Sequence, residues 1–128
     1  MERIIVTGGL GFIGSNLINL LKKKYFIINI DKVSYASNFN NIDPNIKNYK
    51  FYKQNINNKI FIKKILEKYK PSTIYNLAAE THVDRSIDGP KIFIDSNILG
   101  VFNLLESVRN YKKKIKLIHI STDEVYGD

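Results

Sequence analysis

Regularly spaced glycines near the start of the chain form its clearest ligand-binding pattern. Residues 9–14 (GLGFIG) read G-x-G-x-x-G, and Gly8, Gly11 and Gly14 together read G-x-x-G-x-x-G. They follow a β-branched run and open a helical pattern, which is the context in which such glycines bind the pyrophosphate of a dinucleotide. The first glycines permit a tight turn, Gly11 lets the backbone approach the phosphates, and Gly14 permits close packing of helix on strand. We predict a dinucleotide site here, with an unliganded structural turn as the alternative.

An aspartate at the end of the second apolar run is the next candidate. Asp31 lies twenty residues after Gly11. A carboxylate at that point can accept both hydroxyl protons of an adenine ribose and repels a 2′-phosphate, which favours NAD over NADP. The positive charge of Lys32 beside it weakens the exclusion of NADP. The alternative interpretation of Asp31 is an aspartate that caps its own loop.

Polar residues follow two further apolar runs. Residues 77–84 (LAAETHVD) begin with small side chains that let a flat dinucleotide lie close to the backbone, with a salt-bridged loop as the alternative. Residues 121–127 (STDEVYG) offer a hydroxyl and two adjacent carboxyls that can orient a substrate and supply an acid and a base, with a polar loop as the alternative. The surroundings of His82 lack metal-ligand spacing, so no metal site is predicted. His119, within an apolar run, is predicted to be a core histidine with its hydrogen bonds satisfied.

These candidates require a fold that brings the ends of strands together. Apolar runs predict strands at 3–6, 25–30, 49–52, 72–77 and 116–120, and helical spacing predicts helices at 13–24, 58–69 and 90–110. Strands that alternate with helices and are continuously apolar favour a parallel sheet covered on both faces. We therefore predict an α/β fold with a Rossmann-type, doubly wound parallel sheet, truncated after about five strands. Residues 1–128 are taken as one incomplete NAD-binding domain.

Composition limits the class of protein. The chain has 128 residues, 44% of them hydrophobic, and no window approaches the ~20 apolar residues of a membrane span. Cysteine is absent and no secretory signal begins the chain, so a cytoplasmic protein without membrane association is expected. The formal net charge is +8, but lysine runs at 22–24 and 112–114 are predicted at helix C-termini and only three cations are arginine. This indicates a solvated basic surface and no nucleic-acid partner, with a nucleic-acid site as the alternative.

Four segments of the chain, in their order and spacing, closely resemble the dTDP-glucose 4,6-dehydratases, which are extended short-chain dehydrogenase/reductases. They are residues 7–15, 31–36, 77–87 and 121–127. The adjacent carboxyls of Asp123 and Glu124 are the specific part, because UDP-galactose 4-epimerase relatives share the glycine turn but lack that pair. The resemblance covers essentially the whole chain and corresponds to the N-terminal third or so of a full-length member.

The resemblance implies an NAD-dependent lyase of nucleotide-sugar metabolism that converts dTDP-glucose to dTDP-4-keto-6-deoxyglucose, a step of dTDP-rhamnose biosynthesis. The implied catalytic residues are Thr122, Asp123 and Glu124: Glu124 removes the C5 proton, and Asp123 protonates the departing C6 hydroxyl. Thr81 and Thr122 are implied to contact the sugar. With the glycine turn included, the implied cofactor-binding residues are Gly8, Gly11, Phe12, Ile13, Gly14, Asp31, Lys32, Val33, Ser34, Asn55, Ile56, Leu77, Ala78, Ala79, Glu80, Thr81 and Ser96.

Two departures from the family pattern set the limits of this interpretation. Asn55 stands where the family usually has an aspartate that meets the adenine. The Tyr-x-x-x-Lys pair that takes the C4 hydroxyl proton, and the C-terminal nucleotide-sugar domain, are expected beyond residue 128. The chain is therefore expected to be an N-terminal fragment, inactive in isolation. The alternatives are a dinucleotide-binding module without catalysis and a fragment of a related nucleotide-sugar epimerase or dehydratase. A full-length member is implied to be a homodimer, while dimerisation of the fragment stays open.

Overall fold

The computed structural model of the protein describes residues 1–34, 37–78 and 90–121, apart from the side chains of residues 92, 93, 95 and 96. Its strands are β1 (Arg3–Thr7), β2 (Phe26–Asp31), β3 (Tyr49–Lys53), β4 (Thr73–Asn76) and β5 (Lys116–His119). They form one sheet in the order β3-β2-β1-β4-β5, and every neighbouring pair is parallel. The order reverses between β1 and β4, which creates a crevice at the carboxyl ends of the strands. The predicted fold class is confirmed.

Helices in the described residues match the predicted positions closely. They are α1 (Phe12–Leu21), α2 (Lys59–Tyr69), α3 (Pro90–Ile94) and α4 (Gly100–Asn110). A π-helical segment, Asp95–Leu99, joins α3 to α4, so the helix predicted over 90–110 is continuous but changes its hydrogen-bond pattern along its length. The long loop between β2 and β3 contains a short 3-10 turn at Phe39–Asn41.

Local sequence explains where α2 begins and ends. The side chain of Asn58 accepts a hydrogen bond from the N–H of Phe61 at 3.1 Å, which caps the first turn. At the other end Lys70 adopts a left-handed conformation, with φ of 48°, and its N–H donates to the carbonyl of Leu66 at 2.9 Å. Pro71 follows directly and cannot continue a helical hydrogen-bond pattern. The buried face of α2 packs on the sheet through Ile62 and Leu66.

Buried apolar side chains cover both faces of the sheet, as a doubly wound architecture requires. Successive residues of β1 point to opposite faces, so Ile5 contributes to one cluster and its neighbours to the other. The cluster beneath α2 and α4 includes Ile5, Ile28, Ile74, Ile62, Leu66 and Leu104. The cluster beneath α1 includes Ile4, Val6, Ile27 and Ile18. The two layers hold the strand ends in a fixed relation, which is what positions the loops at the carboxyl edge.

Two details differ from the sequence-based expectations. The lysine run at 22–24 lies at the C-terminus of α1 as predicted, but the helix ends at Leu21 and not at residue 24, and Lys22 pairs with Asp43 at 2.9 Å. The prediction of His119 as a core residue is wrong, because its side chain is exposed. β5 is an outer strand of the described sheet, so the end of this strand is covered on fewer sides than the central strands. In the part of the chain that the structure describes, no helix combines the length and apolarity that crossing a membrane requires.

Candidate functional site

A cleft opens at the carboxyl edge of the sheet, between the glycine turn that follows β1 and the loops that follow β2, β3 and β4. Its volume is about 530 Å³, including space open to solvent. The residues that line it are Gly8, Gly11, Ile30, Asp31, Lys32, Ser34, Ser37, Gln54, Asn55, Ile56, Leu77 and Ala78. The cleft therefore lies where ligands bind in open parallel sheets, beside the reversal of strand order between β1 and β4.

The glycine turn has the geometry of a phosphate cradle. Gly8 has φ of +72°, and a Cβ placed there would lie 2.6 Å from the carbonyl oxygen of Leu77. A Cβ on Gly14 would overlap the carbonyl oxygen of Gly8, so the absence of a side chain lets α1 pack against the turn. A Cβ on Gly11 would meet a single neighbour, the Gly8 carbonyl oxygen, at 3.4 Å. Gly11 thus borders open cleft space directly before the first free N–H groups of α1, an arrangement that fits an anionic group.

The carboxylate of Asp31 lies at the end of β2 and is almost fully buried, with 6% of the residue exposed. Its Oδ2 accepts the N–H of Leu10 at 3.0 Å. Its Oδ1 accepts the N–H of Val33 at 2.7 Å and the hydroxyl of Ser37 at 2.9 Å. A carboxylate offers about four acceptor positions, so donors of the chain itself use most of them. Asp31 therefore caps its own loop and retains room for about one ribose hydroxyl, where the sequence suggested both.

A ladder of polar side chains, buried at Thr7 and Asn76 and reaching the surface at His119, lies beneath the cleft, and sequence reasoning missed it. Thr7 and Asn76 are opposite each other on β1 and β4, and Asn76 is opposite His119 on β5. The Thr7 hydroxyl donates to Asn76 Oδ1 at 2.5 Å, and Asn76 Nδ2 donates to His119 Nδ1 at 3.1 Å. The N–H of Ala78 in turn donates to the Thr7 hydroxyl at 3.3 Å. The ladder therefore holds the backbone of Ala78, which lines the cleft. The sequence signal for the ladder was the presence of polar residues at the ends of apolar strands.

Asn29 ties the glycine turn to the neighbouring strands. Its Oδ1 accepts the N–H of Gly9 at 3.1 Å, and its Nδ2 donates to the Tyr49 hydroxyl at 3.0 Å. Burial raises the pKa of Tyr49 above its usual value of 10.0, although the bond from Asn29 works in the opposite direction. Tyr49 thus serves as a neutral acceptor that orients the amide beneath the turn.

The far side of the cleft is formed by Asn55 and Ile56, after β3. Asn55 Oδ1 accepts the N–H of Asn57 at 3.0 Å, so the amide that replaces the expected aspartate is used within its own turn. The carbonyl of Ile56 accepts a hydrogen bond from Asn103 Nδ2. A Cβ on Gly100 would lie 2.5 Å from Ile56 Cδ1, so α4 approaches this loop closely because Gly100 has no side chain. Helix α4 therefore fixes the position of Ile56 in the cleft wall.

Comparison with known proteins identifies the family. The family model described as GDP-mannose 4,6 dehydratase matches residues 5–128. The chain belongs to that family. Among curated relatives, the dTDP-glucose 4,6-dehydratase of Haemophilus influenzae is 46% identical over 140 residues, a match that covers 100% of this chain and 41% of the relative. The dTDP-D-glucose 4,6-dehydratase of Dictyostelium discoideum is 48% identical over 132 residues, covering 99% of this chain and 30% of the relative.

Solved structures of this family and of related epimerases share the fold. The dTDP-glucose 4,6-dehydratase of Bacillus anthracis, in complex with NAD, has a TM-score of 0.85 and 39% identity and matches 100% of this chain and 40% of its own. The UDP-glucose 4-epimerase of Thermotoga maritima has a TM-score of 0.84 and 33% identity and matches 94% of this chain and 38% of its own. The chain thus spans between 30% and 41% of the length of these four proteins.

The structure brings many of the predicted cofactor-binding residues of this family member together. Those that line the cleft are Gly8, Gly11, Asp31, Lys32, Ser34, Asn55, Ile56, Leu77 and Ala78. Phe12 and Ile13, at the start of α1, are 80% and 61% exposed, while Gly14 lies beneath the turn and Val33 contributes its N–H to Asp31. Three lining residues were not predicted: Ile30, Ser37 and Gln54. Ala79, Glu80, Thr81, Thr122, Asp123, Glu124 and the side chain of Ser96 lie outside the described residues.

One Tyr-x-x-x-Lys spacing occurs within the chain, from Tyr49 to Lys53, although the family's pair is expected beyond residue 128. Both residues belong to β3, where a separation of four residues spans about 13 Å, whereas on a helix it spans one turn. The Tyr49 hydroxyl is bonded to Asn29 instead. This spacing therefore does not form the family's tyrosine–lysine pair. Among the described residues, no group of three His, Cys, Asp or Glu side chains is placed to hold a metal ion.

Proposed function

We propose that the chain binds NAD in the cleft at the carboxyl edge of the sheet, as the dinucleotide-binding part of a dTDP-glucose 4,6-dehydratase. The observation that carries the proposal is the pairing of an open Gly11, beside the first turn of α1, with the Asp31 carboxylate in the same cleft. One end of that arrangement suits a pyrophosphate and the other a ribose. The NAD complex of the Bacillus anthracis enzyme, matched over the full chain, supports the same ligand.

Each part of the cleft has a distinct task in this proposal. Free N–H groups at the start of α1 would bind the phosphates, and Asp31 would accept a ribose hydroxyl proton. Asn55 and Ile56 would border the adenine. The backbone of Leu77 and Ala78 would flank the rest of the dinucleotide, together with Ala79, Glu80, Thr81 and Ser96. The chemistry that NAD supplies when bound is reversible acceptance of a hydride.

The acid and base of the dehydration are proposed at the sequence that follows Ser121. Glu124 would take the C5 proton of the 4-keto sugar, and Asp123 would give a proton to the departing C6 hydroxyl, which leaves as water. Thr81 and Thr122 would contact the sugar. Ser121 follows β5, whose carboxyl end lies at the same edge of the sheet as the cleft. The absence of cysteine is compatible with the cytoplasm, where we propose that the protein acts.

A nucleotide-sugar 4-epimerase is the second candidate, because solved epimerases share this fold with TM-scores up to 0.88 among those compared. The adjacent carboxyls of Asp123 and Glu124 favour the dehydratase. The two candidates predict different products. In the organism that carries the gene, Glu124→Gln is expected to abolish formation of the dTDP-4-keto-6-deoxy sugar in extracts, and Leu20→Ala is expected to leave it unchanged. Interconversion of UDP-glucose and UDP-galactose that depends on this gene would instead establish the epimerase.

Isothermal titration of the 128-residue chain with NAD and NADP tests the cofactor site. NAD is expected to bind more tightly than NADP. Gly11→Ala is expected to weaken NAD binding at least about tenfold, because its methyl group would enter the space of the phosphates, while the melting temperature stays unchanged since only one atom lies within contact distance. Leu20→Ala, at an exposed position on the same helix, is the matched control. Equal NAD affinity in Gly11→Ala and the natural sequence would refute the site.

A further inference from the structure

A ring of hydrogen bonds ties Ser37 to the carboxylate of Asp31. The Ser37 hydroxyl donates to Asp31 Oδ1 at 2.9 Å and accepts the N–H of Ser34 at 3.0 Å. The backbone N–H of Ser37 donates to the Ser34 carbonyl at 3.0 Å, which closes the turn. A hydroxyl has one proton to donate. Ser37 gives it to Asp31, and both residues line the cleft.

The ring decides which oxygen of Asp31 is available to a ligand. Oδ1 accepts from both Val33 and Ser37, which uses its two lone pairs. Within the described residues, Oδ2 accepts a single hydrogen bond, from the N–H of Leu10, which leaves one of its lone pairs for a ligand. Rotation of the carboxylate would break several of these bonds at once. As long as the ring is intact, Oδ2 is the oxygen that can accept a ribose hydroxyl proton.

The loop that carries this ring is held in an unfavourable backbone conformation. Val33 has φ of +61°, a left-handed conformation that is unfavourable for a β-branched residue. Its N–H is directed at Asp31 Oδ1, which also receives the Ser37 hydroxyl. The two donors share one acceptor atom, so loss of the Ser37 bond removes one of the two ties that keep Asp31 oriented within this loop.

We propose that Ser37 is a positioning residue that sets the selectivity of the cleft for NAD over NADP, an inference that rests on the proposed function. Selectivity depends on Asp31 in two ways, since its carboxylate accepts a ribose hydroxyl of NAD and repels the 2′-phosphate of NADP. Both effects require the carboxylate to stay in place. Ser37 keeps the carboxylate in place by donating its hydroxyl proton to Asp31, so this proton is not available to the dinucleotide.

The test compares Ser37→Ala with Ser37→Thr by isothermal titration of the full chain with NAD and NADP. Ser37→Ala is expected to lower the ratio of NAD to NADP affinity about tenfold, the effect of losing one hydrogen bond to a charged acceptor. Ser37→Thr keeps a hydroxyl and is expected to retain most of the selectivity. A purely structural role of Ser37 would weaken both dinucleotides equally, and an unchanged affinity ratio in Ser37→Ala would overturn the proposal.

A double-mutant cycle keeps the proposal testable if the threonine variant does not fold. In an Asp31→Asn background, Ser37→Ala is expected to leave the affinity ratio unchanged, because Ser37 acts through the Asp31 carboxylate. A further loss of selectivity in that background would show that Ser37 acts independently and would overturn the inference. If the natural sequence binds neither dinucleotide, the proposed function itself fails. If the natural sequence binds NAD and Ser37→Ala leaves the ratio of NAD to NADP affinity unchanged, only the inference about Ser37 fails.

Discussion

The substitution Thr7→Val removes one hydroxyl from the centre of the protein with little change in shape. Thr7 is 0% exposed, and its hydroxyl donates to Asn76 Oδ1 at 2.5 Å and accepts the N–H of Ala78 at 3.3 Å. Valine leaves both partners without this group, and Asn76, which is 1% exposed, has little access to water as a replacement. From the described residues, Asn76 Oδ1 then keeps a single, longer contact, with the N–H of Ala78 at 3.4 Å.

The expected loss of stability follows from the loss of these two hydrogen bonds. A buried polar group that loses its partner costs about 1–3 kcal/mol, and the added methyl group recovers a part of the loss by burial. We expect the free energy of unfolding to fall by about 2 kcal/mol. For a domain of this size, 1 kcal/mol corresponds to about 3–5 °C, so the melting temperature should fall by about 6–10 °C.

Thermal melts followed by circular dichroism, with urea unfolding as a second measurement, test this prediction. The control is Ser72→Ala, which removes an exposed hydroxyl whose contact with the Arg3 carbonyl is long, at 3.4 Å. That variant should stay within about 0.5 kcal/mol of the natural sequence. If Thr7→Val melts together with Ser72→Ala, the ladder beneath the cleft does not contribute to stability and this reasoning is refuted.

Two further predictions concern α2. Lys70→Gly should raise the free energy of unfolding by about 0.5–1 kcal/mol in urea titrations, because φ of 48° at the end of the helix favours glycine. Lys68→Gly, inside the helix, should lower the free energy of unfolding by about 1 kcal/mol. If both variants are destabilised, the argument from the backbone conformation of Lys70 is contradicted. Burial and the hydroxyl of Tyr52, 2.6 Å away, raise the pKa of Tyr69 from 10.0 to about 12. Because the folded state holds this proton more tightly than the unfolded state, its contribution is complete below pH 10 and is lost as the pH rises towards 12. Melting temperatures measured across this range should fall more steeply for the natural sequence than for Tyr69→Phe, and parallel curves would contradict the assignment.

Local patterns in the sequence determined the elements of this protein and their order. Apolar runs predicted β1, β2, β4 and β5, and helical spacing predicted the helices, because these patterns reflect which faces must be buried. The signal for β3 was weaker, since its sequence YKFYK contains two lysines. The glycine spacing predicted the turn for a similar reason. Gly8 and Gly14 occupy positions where a side chain would overlap the backbone. The requirement for glycine at these positions is therefore visible within a short segment of sequence. Nine of the twelve residues that line the cleft were expected from the sequence and its family resemblance, whereas Ile30, Ser37 and Gln54 were not.

The tertiary structure decided how the polar side chains of those segments are paired. Thr7 and Asn76 are separated by 69 residues, and Asn76 and His119 by 43, so their ladder depends on strand register that no local pattern encodes. The same holds for Asp31, whose acceptor positions are shared with Leu10 and Ser37 only after the loop has folded back on the turn. Residue spacing indicates which groups are present at the edge of the sheet. How many hydrogen bonds each group still has to offer a ligand is a property of the assembled fold.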